Sequence, residues 1–501
     1  MKRFINLKEF MLYGYLLFSI TGCSNLDEEA LDGSIQSGGS AGAVNTAAFL
    51  QTAYNGLRDF QNQGTMFALD EMSGDDLVGP TRGGDWDDNG SWRQIHTHTW
   101  DPVHVEVRNS WNSLLSNVYN CNQVIYNNGT PTQILQARFL KAFYYYNVID
   151  LFGSTPYREQ GSDPTADAKV WSRTEATAFC ISELEAILPS LPARIPGDPS
   201  FVNADAAHFL LAKLYLNKGV FNGSGTFAAA DMTKVVTNVD AMTNTLATDY
   251  WDNFKPGNNA SNELIFTSKN LVSGSGGNMQ SRWRMSAHYN QTPSGWNGFS
   301  TVAEFYNTYN PNDLRIKNNS PSIIADFGNP AGFQVGQQFA PGGTTPLNDR
   351  NNNLLIFTPA LTLITSGATL ETAGIRGMKY VPDSSNLGSP ENDYVLMRYS
   401  DALLMKAEAI TRGGSGSIGT IMTAIAARTG QPASPATLDG IYAERGRELW
   451  WEGWRRNDMI RFGKFLAQRE LKPYVSASKY LLYPIPAGAL LNTNITQNPG
   501  Y

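Results

Sequence analysis

Two stretches of the chain combine indole rings with carboxylate, carboxamide and guanidinium groups, one within residues 71–100 and one within 278–300. Trp and Tyr present flat apolar faces, while Asn, Asp and Arg provide hydrogen-bond donors and acceptors beside them. This combination suits a ligand with C–H faces and many hydroxyls, which is the chemistry of a neutral sugar. We therefore predict ligand contacts from nine residues: Asp75, Arg82, Trp86, Trp92, Trp283, Tyr289, Asn290, Trp296 and Asn297.

The segment Ser294-Gly295-Trp296-Asn297-Gly298 is the most suggestive part of these stretches. Its flanking glycines carry no side chains, so they are predicted to leave the indole between them exposed. For every tryptophan of the two stretches the alternative role is core packing, since 11 tryptophans in one chain also serve to fill a large core.

A hydrolytic enzyme would need a pair of carboxylates, and the sequence offers Asp75 and Asp76 as a candidate pair. Glycoside hydrolysis requires two carboxyl groups that flank the sugar, one of them with a raised pKa. Side chains of adjacent residues usually point apart, so a secreted glycoside hydrolase is only the remote alternative. We predict no catalytic residues and a protein that is not an enzyme.

The cysteines and histidines do not have a metal-binding spacing. His96 and His98 would lie on one side of a strand, but no third ligand follows nearby. Cys121 and Cys180 lie within helical apolar patterns and are predicted to be buried free thiols. We predict no metal and no cofactor.

The N-terminus has the features of a bacterial lipoprotein signal. Basic residues precede an apolar run over residues 10–20, which is too short to span a bilayer but fits the central region of a secretory signal. Ile20-Thr21-Gly22-Cys23 follows and resembles a lipobox. Residues 1–22 are therefore predicted to be a signal peptide, Cys23 the lipidated residue, and residues 23–42 a flexible, acidic and Gly/Ser-rich tether.

The composition argues against a nucleic-acid partner. The full chain has a formal net charge of −7, and it contains no basic block or stripe. Charged residues make up only 17% of the chain, which is typical of a secreted protein with long polar loops.

Hydrophobic periodicity predicts a mostly α protein in which helices alternate with long irregular stretches. Residues 43–219 are predicted to form an N-terminal helical scaffold with a loop insertion at 61–102. Residues 220–400 are predicted to form an irregular, loop-rich second lobe, and residues 401–501 the C-terminal helices and Pro-rich tail that complete the scaffold. Paired short helices favour a tetratricopeptide-like arrangement. The predicted helices are 43–60, 105–126, 132–152, 175–188, 205–218, 401–412, 418–429 and 438–462.

Motifs in three parts of the chain resemble those of the SusD/RagB-like family of Bacteroidetes outer-membrane nutrient-binding lipoproteins. The first is an aromatic helix that ends in Asp150-Leu151-Phe152-Gly153, and the second is the segment 394–409. The third is the C-terminal series of Glu and Arg between 444 and 461, followed by Tyr483-Pro484-Ile485-Pro486 and the ending 497–501. The pair Trp450-Trp451 is bulkier than the family pattern leads us to expect, which implies altered local packing.

The resemblance implies a function as well as a fold. A member of this family would be a surface-exposed outer-membrane lipoprotein that is anchored through Cys23. It would bind a nutrient, here an oligosaccharide or polysaccharide, and deliver it to a SusC-like TonB-dependent transporter. Peptide capture, as in RagB-like relatives, is the alternative. The acidic and basic residues of the C-terminal motif are predicted to form a charged seam in which Glu452 pairs with Arg455 and Arg456 along one helix.

Overall fold

The tertiary structure comes from a computed structural model, and the predicted signal peptide 1–22, lipidation site Cys23 and tether 23–42 all lie outside the part of the chain that it describes. The described residues are 44–163, 165–271, 279–362, 364–365 and 368–501.

Most of the longer helices overlap the periodic segments of the sequence. The longer helices are α1 (Thr46–Asn55), α2 (Ser91–Thr97), α3 (Val105–Tyr126), α4 (Pro131–Leu151), α5 (Arg173–Ile187), α6 (Ala204–Phe221), α7 (Ala229–Asp240), α8 (Pro321–Phe327), α9 (Tyr399–Thr411), α10 (Ile421–Ala427), α11 (Leu438–Leu449) and α12 (Arg455–Arg461). Among them α2, which lies in the predicted loop insertion, α7 and α8 were not predicted. Shorter helical turns are Gly56–Gln61, Thr65–Phe67, Ala68–Met72, Asp88–Gly90, Leu188–Ser190, Tyr250–Asn253, Asn258–Ala260, Ser281–Arg284, Ala303–Tyr306, Ala368–Glu371, Ser478–Leu481 and Ala487–Leu491.

Helix α4 shows how local sequence sets the bounds of an element. Thr130 and Gln133 form a reciprocal capping box at its start, where a proline occupies the first helical turn. Gly153, at a φ of 77°, ends the helix in the left-handed conformation that favours glycine. Between these ends most side chains are buried, including the aromatic run 143–146.

The helices stack in sequence order to form the scaffold. Helix α3 packs on α4, α4 on α5, α5 on α6 and α6 on α7, and α9 then packs against both α7 and α11. This arrangement confirms the predicted mostly α scaffold of helix pairs. Helix α7 belongs to this stack, so the helices continue past residue 220, where the sequence indicated the start of the irregular lobe.

The remainder of the segment up to residue 400 is loop-rich, as predicted, and holds most of the short strands. They are β1 (Thr155–Tyr157), β2 (Lys169–Trp171), β3 (Leu264–Ser268), β4 (Lys317–Asn318), β5 (Ala331–Gln334), β6 (Gly336–Gln337), β7 (Ile356–Phe357), β8 (Arg376–Met378) and β9 (Tyr394–Arg398). They pair antiparallel as β1–β2, β3–β9, β4–β5–β8 and β6–β7. Strands β3 and β9 are fully buried and lead the chain back into the scaffold at α9.

The predicted single helix over 438–462 is wrong. The chain leaves the helical conformation after α11, and Trp451 and Gly453 have φ values of 57° and 83°. Trp450 and Trp451 are both buried, so the bulky pair turns the chain into the core before α12 begins.

The predicted pairing within the C-terminal motif is also wrong, because the break separates its members. Glu452 contacts Lys379 and Arg398, whereas Arg455 contacts Asp75. Arg456 contacts Asp150 instead, at 3.1 Å. The motif therefore provides buried cross-links between distant segments, not a seam along one helix.

The scaffold contains two of the three cysteines. Cys121 and Cys180 are free and buried, as predicted. Of the helices in the described ranges, none combines the length and apolar character needed to span a bilayer.

Candidate functional site

The fold brings together the two stretches that were singled out in the sequence. Val78 and Ser300 form an antiparallel bridge, with N–O distances of 2.8 and 2.9 Å in the two directions. This bridge places the loop after Val78 beside the loop that precedes Ser300. The 71–100 and 278–300 stretches are therefore neighbours in space, although more than 200 residues separate their contacting atoms.

Four aromatic rings meet where these loops touch. The Trp86 ring lies 4.9 Å from Phe299, 5.6 Å from Trp92 and 6.4 Å from Trp296, measured between ring centroids. Trp92 and Phe299 are buried, whereas Trp86 and Trp296 are half-buried. The two half-buried rings are inclined at 47° to each other and are joined by a hydrogen bond from Trp86 Nε1 to the Trp296 carbonyl at 2.7 Å. We call Trp86 and Trp296 the aromatic pair.

Both loops hold the aromatic pair in an unusual backbone conformation. Trp86 has a φ of 61°, and Asn297, next to Trp296, has a φ of 50°. Left-handed φ values are rare for bulky residues and persist only where surrounding contacts enforce them, often at functional sites. Each of the two loops carries one half-buried indole at or beside the left-handed residue.

The glycines around Trp296 have a different role from the predicted one. A Cβ atom on Gly298 would lie 2.4 Å from Trp86 Cε2, and one on Gly295 would lie 2.1 Å from the Ala287 carbonyl oxygen. Their missing side chains therefore allow close approach of Trp86 and of the backbone. The exposure of Trp296 follows from this tight packing of its neighbours.

Two buried guanidinium groups fix the loops beneath the aromatic pair. Arg82 donates to the Gly298 carbonyl at 2.8 Å, to the Ala373 carbonyl at 3.0 Å and to Ser300 Oγ at 2.7 Å. Arg376 donates to the same hydroxyl at 2.6 Å and to Asn297 Oδ1 at 2.9 Å. The predicted ligand contacts Arg82 and Asn297 are thus buried positioning residues, because their polar atoms are engaged within the protein.

Two of the predicted tryptophan contacts also belong to the core. Trp283 is 0% exposed and cannot contact a ligand in this conformation. Trp92 is nearly buried, and its Nε1 donates to the Asp88 carboxylate while its ring supports Trp86. Trp283 and Trp92 therefore pack in the core, which is the alternative role that the sequence left open for each tryptophan.

A polar rim continues from the aromatic pair. The Tyr289 hydroxyl donates to Asp85 at 2.5 Å, and burial together with this carboxylate raises the pKa of the phenol. The Arg350 guanidinium lies 4.4 Å from the centre of the Tyr289 ring and 3.3 Å from the Asp85 carboxylate. Asn290 is exposed and donates to the Asn348 carbonyl. Tyr289 is thus linked to Asp85, the residue before Trp86, and the ligand contacts of Tyr289 and Asn290 stay a prediction.

An open groove of about 640 Å³ begins at Trp86 and runs beside α2 and the start of α3. Its walls combine the edges of Trp86 and Trp92 with acids, carboxamides and a hydroxyl. Val103, which is 70% exposed, is one of its lining residues. The lining residues are Gln63, Trp86, Asp88, Asn89, Ser91, Trp92, Gln94, Asp101, Val103, His104, Val105 and Glu106.

Comparison with known proteins agrees with the fold described above. The model of the SusD family matches residues 248–480. Starch-binding protein SusD from Bacteroides thetaiotaomicron is 26% identical over 97% of this chain and 91% of its own length. A solved laminarin binding SusD-like protein superposes with a TM-score of 0.68, covering 91% of this chain and 99% of that chain at 20% identity. The chain thus resembles SusD-family proteins along nearly its whole length.

Further SusD-type structures have the same fold. A SusD superfamily protein from Parabacteroides distasonis gives a TM-score of 0.70 at 19% identity, with 91% of this chain and 98% of that chain covered. Surface glycan-binding protein A from Bacteroides thetaiotaomicron, solved in complex with laminarihexaose, gives 0.65 at 20% identity, with 90% and 98% covered. The predicted resemblance to the SusD/RagB-like family is thereby confirmed.

One predicted contact of this SusD-like chain lies apart from the aromatic pair. The Asp75 carboxylate is 2.6 Å from Arg455, and the two residues line a separate groove with Phe305 and Tyr442. Burial opposes ionisation of Asp75, but the Arg455 guanidinium outweighs it and lowers the pKa of the carboxyl group. The ion pair occupies Asp75, so its position does not fit the predicted role in the site.

Asp76, the other carboxylate of the hydrolytic alternative, is 0% exposed. Burial raises its pKa to about 6, and the side chain faces Glu71 in the core instead of Asp75 in the groove. The two adjacent carboxyl groups therefore do not flank a space that would hold a sugar.

The histidine pair is engaged within the SusD scaffold. His96 contacts the Leu77 and Glu470 carbonyls through its two ring nitrogens, and burial lowers its pKa to about 4. His98 contacts Ser476 and the Ser73 carbonyl in the same way. Within the described ranges, no group of three His, Cys, Asp or Glu side chains could hold a metal ion.

Sequence reasoning missed several residues of the SusD-type surface. Asp88 lies two residues after Trp86, so the acidic and amide-rich run around that tryptophan was a usable signal. Asp101 and Arg350 had no such signal, because only the fold brings their loops to the groove and to Tyr289.

Proposed function

We propose that this protein binds a glycan at the cell surface through the aromatic pair and its polar rim. The observation that carries the proposal is the joint presentation of Trp86 and Trp296, two half-buried indoles fixed side by side by the Trp86 Nε1 hydrogen bond. Sugar rings stack their C–H faces on such indoles, and their hydroxyls pair with nearby polar groups. Tyr289 and Asn290 supply that polar chemistry at the rim.

The support beneath the aromatic pair favours a preformed site. Arg82, Arg376 and Gly298 fix the loops before any ligand arrives, so binding does not require them to become ordered. A rigid aromatic surface is an efficient way to bind a flexible, uncharged chain, because most of the entropy cost then falls on the ligand alone.

The named ligands of relatives point in the same direction. One relative is named for starch, and a structural neighbour was solved with laminarihexaose. Both ligands are glycans, and the fold that carries their binding is the fold of this chain. We therefore place a glycan ahead of the peptide that a RagB-like protein would take.

We propose further that the protein is non-catalytic and delivers its ligand to a SusC-like TonB-dependent transporter. The lipobox-like segment supports a lipid anchor on Cys23 in the outer membrane, with residues 23–42 as the tether. An anchored binding protein of this kind raises the local concentration of ligand at the transporter. The resemblance to the SusD family supports this partnership.

The test of glycan binding uses the purified, unlipidated chain 24–501 in native gels that contain a panel of polysaccharides. Trp296→Ala and Trp86→Ala each remove one half of the aromatic pair. Tyr119→Ala is the matched control, because Tyr119 is 56% exposed on α3 and lies outside the groove and the aromatic pair. Circular dichroism checks that each variant is folded.

The expected result is retardation of wild type and Tyr119→Ala by at least one polysaccharide, with loss of retardation in Trp296→Ala. Retardation that survives removal of either indole would overturn the assignment of the site. If no polysaccharide or oligosaccharide binds but a peptide library does, the peptide alternative replaces the glycan.

A further inference from the structure

The groove beside the aromatic pair has a one-sided charge. Three of its lining side chains, Asp88, Asp101 and Glu106, carry carboxyl groups. Gln63, Asn89 and Gln94 add carboxamides, and within the described part of the chain none of the lining residues is Lys or Arg. The walls can thus accept hydrogen bonds from hydroxyls at many points, but they offer no cationic partner to an acid.

Apart from Arg108, which is exposed on α3 and whose charge acts on the Glu106 carboxyl group, the cations close to the groove are engaged with other groups. Arg93 contacts the Asp87 carboxylate at 2.9 Å. Arg82 lies beneath Trp86 and directs its guanidinium to the carbonyl oxygens of Gly298 and Ala373. On the far rim, Arg350 is shared between Asp85 and Glu371 at 3.3 Å each. None of these three engaged groups faces the carboxyl groups of the groove as a free partner for a ligand.

From this arrangement we infer that the groove takes an uncharged segment of glycan and discriminates against uronate, sulfate and other anionic substituents. The inference rests on the proposed function and specifies its substrate class. The physical reason is electrostatic: an anionic substituent would enter a groove lined by like charges, where it would lose hydration without gaining an ion pair. Hydroxyl groups instead donate to the carboxylates, which form stronger hydrogen bonds than neutral acceptors do.

The aromatic pair and the groove then have separate roles. Trp86 belongs to both, so a chain that stacks on the aromatic pair lies next to the groove. The aromatic pair attracts the C–H face of a sugar through stacking. The groove makes binding selective, because its carboxylates repel glycans that carry anionic substituents.

For each of two neutral glucans, the experiment compares three forms by isothermal titration calorimetry: the unmodified glucan, its hydroxyethyl derivative and its carboxymethyl derivative at equal substitution. Amylopectin and laminarin serve as the two parent glucans. The hydroxyethyl form controls for the bulk of the substituent without charge. Each titration is run at low and high salt, since screening weakens repulsion between exposed charges.

The expected result is at least tenfold weaker binding of the carboxymethyl form than of the hydroxyethyl form, and a smaller gap at high salt. In the double variant Asp88→Asn/Asp101→Asn, the affinity ratio of the two forms should move at least threefold towards unity. Asn keeps the oxygen acceptors that Trp92 Nε1 and the Val103 amide use in the wild type, so the charge alone is changed.

Equal or tighter binding of the carboxymethyl form would overturn the inference, and so would an unchanged ratio in the double variant. If that binding is still lost in Trp296→Ala, the proposed glycan-binding function stands while the inference on substrate class fails. If no form of either glucan nor any other polysaccharide of the panel binds, the proposed function itself fails.

Discussion

Gly298→Ala is the substitution that tests the aromatic pair most directly. The added methyl group would lie 2.4 Å from Trp86 Cε2, 2.6 Å from Trp86 Cζ2 and 2.8 Å from the Met285 carbonyl oxygen. Carbon atoms in contact are normally about 3.5 Å or more apart, so the Trp86 ring must move by about 1 Å. The methyl group would also meet the Met285 backbone, which moves less easily than a side chain, so we expect the Trp86 indole to move.

The magnitude follows from the contacts that this shift disturbs. Trp86 Nε1 donates to the Trp296 carbonyl at 2.7 Å, and a displacement of this size stretches the bond beyond useful length. Overpacking costs about 1–3 kcal/mol and a lost hydrogen bond about 1 kcal/mol, so we expect the stability of the folded state to fall by roughly 2–3 kcal/mol. Binding of a glycan should weaken by about tenfold or more, which corresponds to about 1.4 kcal/mol.

Gly84→Ala is the matched control for this experiment. A Cβ atom on Gly84 meets nothing within 4 Å, although the residue belongs to the same loop as Trp86. Both variants add one methyl group and remove the same backbone freedom, and they differ in what the methyl group meets. Urea unfolding gives the change in stability, and titration with the polysaccharide that wild type binds gives the change in affinity.

Tight binding by a folded Gly298→Ala protein would refute the reasoning. It would mean either that Trp86 does not contact the ligand or that its position is not critical. A similar loss of affinity in Gly84→Ala would also contradict it, because the effect would then come from the flexibility of the loop and not from the collision with the indole.

Two predictions concern the buried ion network around α11. Glu448 contacts Arg398 at 2.6 Å and also contacts Arg428, both within the core. Glu448→Gln should therefore lower the free energy of unfolding, measured by urea titration, by about 3 kcal/mol or more. The control is Glu183→Gln, which removes one partner of a partly exposed ion pair and should lower it by less than about 1 kcal/mol. Equal effects would contradict the assignment of the network as a stabilising core. The nearby arginines outweigh the effect of burial, so they hold the pKa of Glu448 well below its usual range and lower the pKa of Glu263 to about 2. A carboxyl group whose pKa is lowered by folding stabilises the folded state fully above about pH 4.5, and this stabilisation is lost as the pH falls towards 2. Urea midpoints from pH 7 to pH 3 should therefore fall more steeply for wild type than for Glu448→Gln, and parallel curves would exclude this origin of the acid sensitivity.

The helical scaffold was largely predictable because its signals are local. Helix α4 begins at a capping box and ends at a glycine, both of which can be read from adjacent residues. The error at 438–462 has the opposite cause: Trp451 adopts a left-handed φ because of burial in the core, a tertiary effect that overrides helix propensity. Helix α7 was missed because the loops around it masked its short apolar pattern.

The candidate site was predictable in composition but not in detail. The sequence located the two segments that meet, and Trp86 and Trp296 lie where a ligand can reach them. It did not separate them from Trp283 and Trp92, since an indole in the core and an indole at the surface have the same local signature. Arg82 illustrates the same limit, because its hydrogen-bond partners are more than 200 residues away in the chain.

The sequence by itself therefore determined the residue chemistry, most of the helical segments and the family that the chain resembles, because these depend on residue types at fixed local spacings. Only the tertiary structure decided which side chains form the surface. That decision depends on burial and on contacts such as the one between Gly298 and Trp86, which join segments whose separation along the chain carries no information about their distance in space. The acidic groove has the same origin, since the loop that carries Asp88 and the start of α3 become one wall only when the chain has folded.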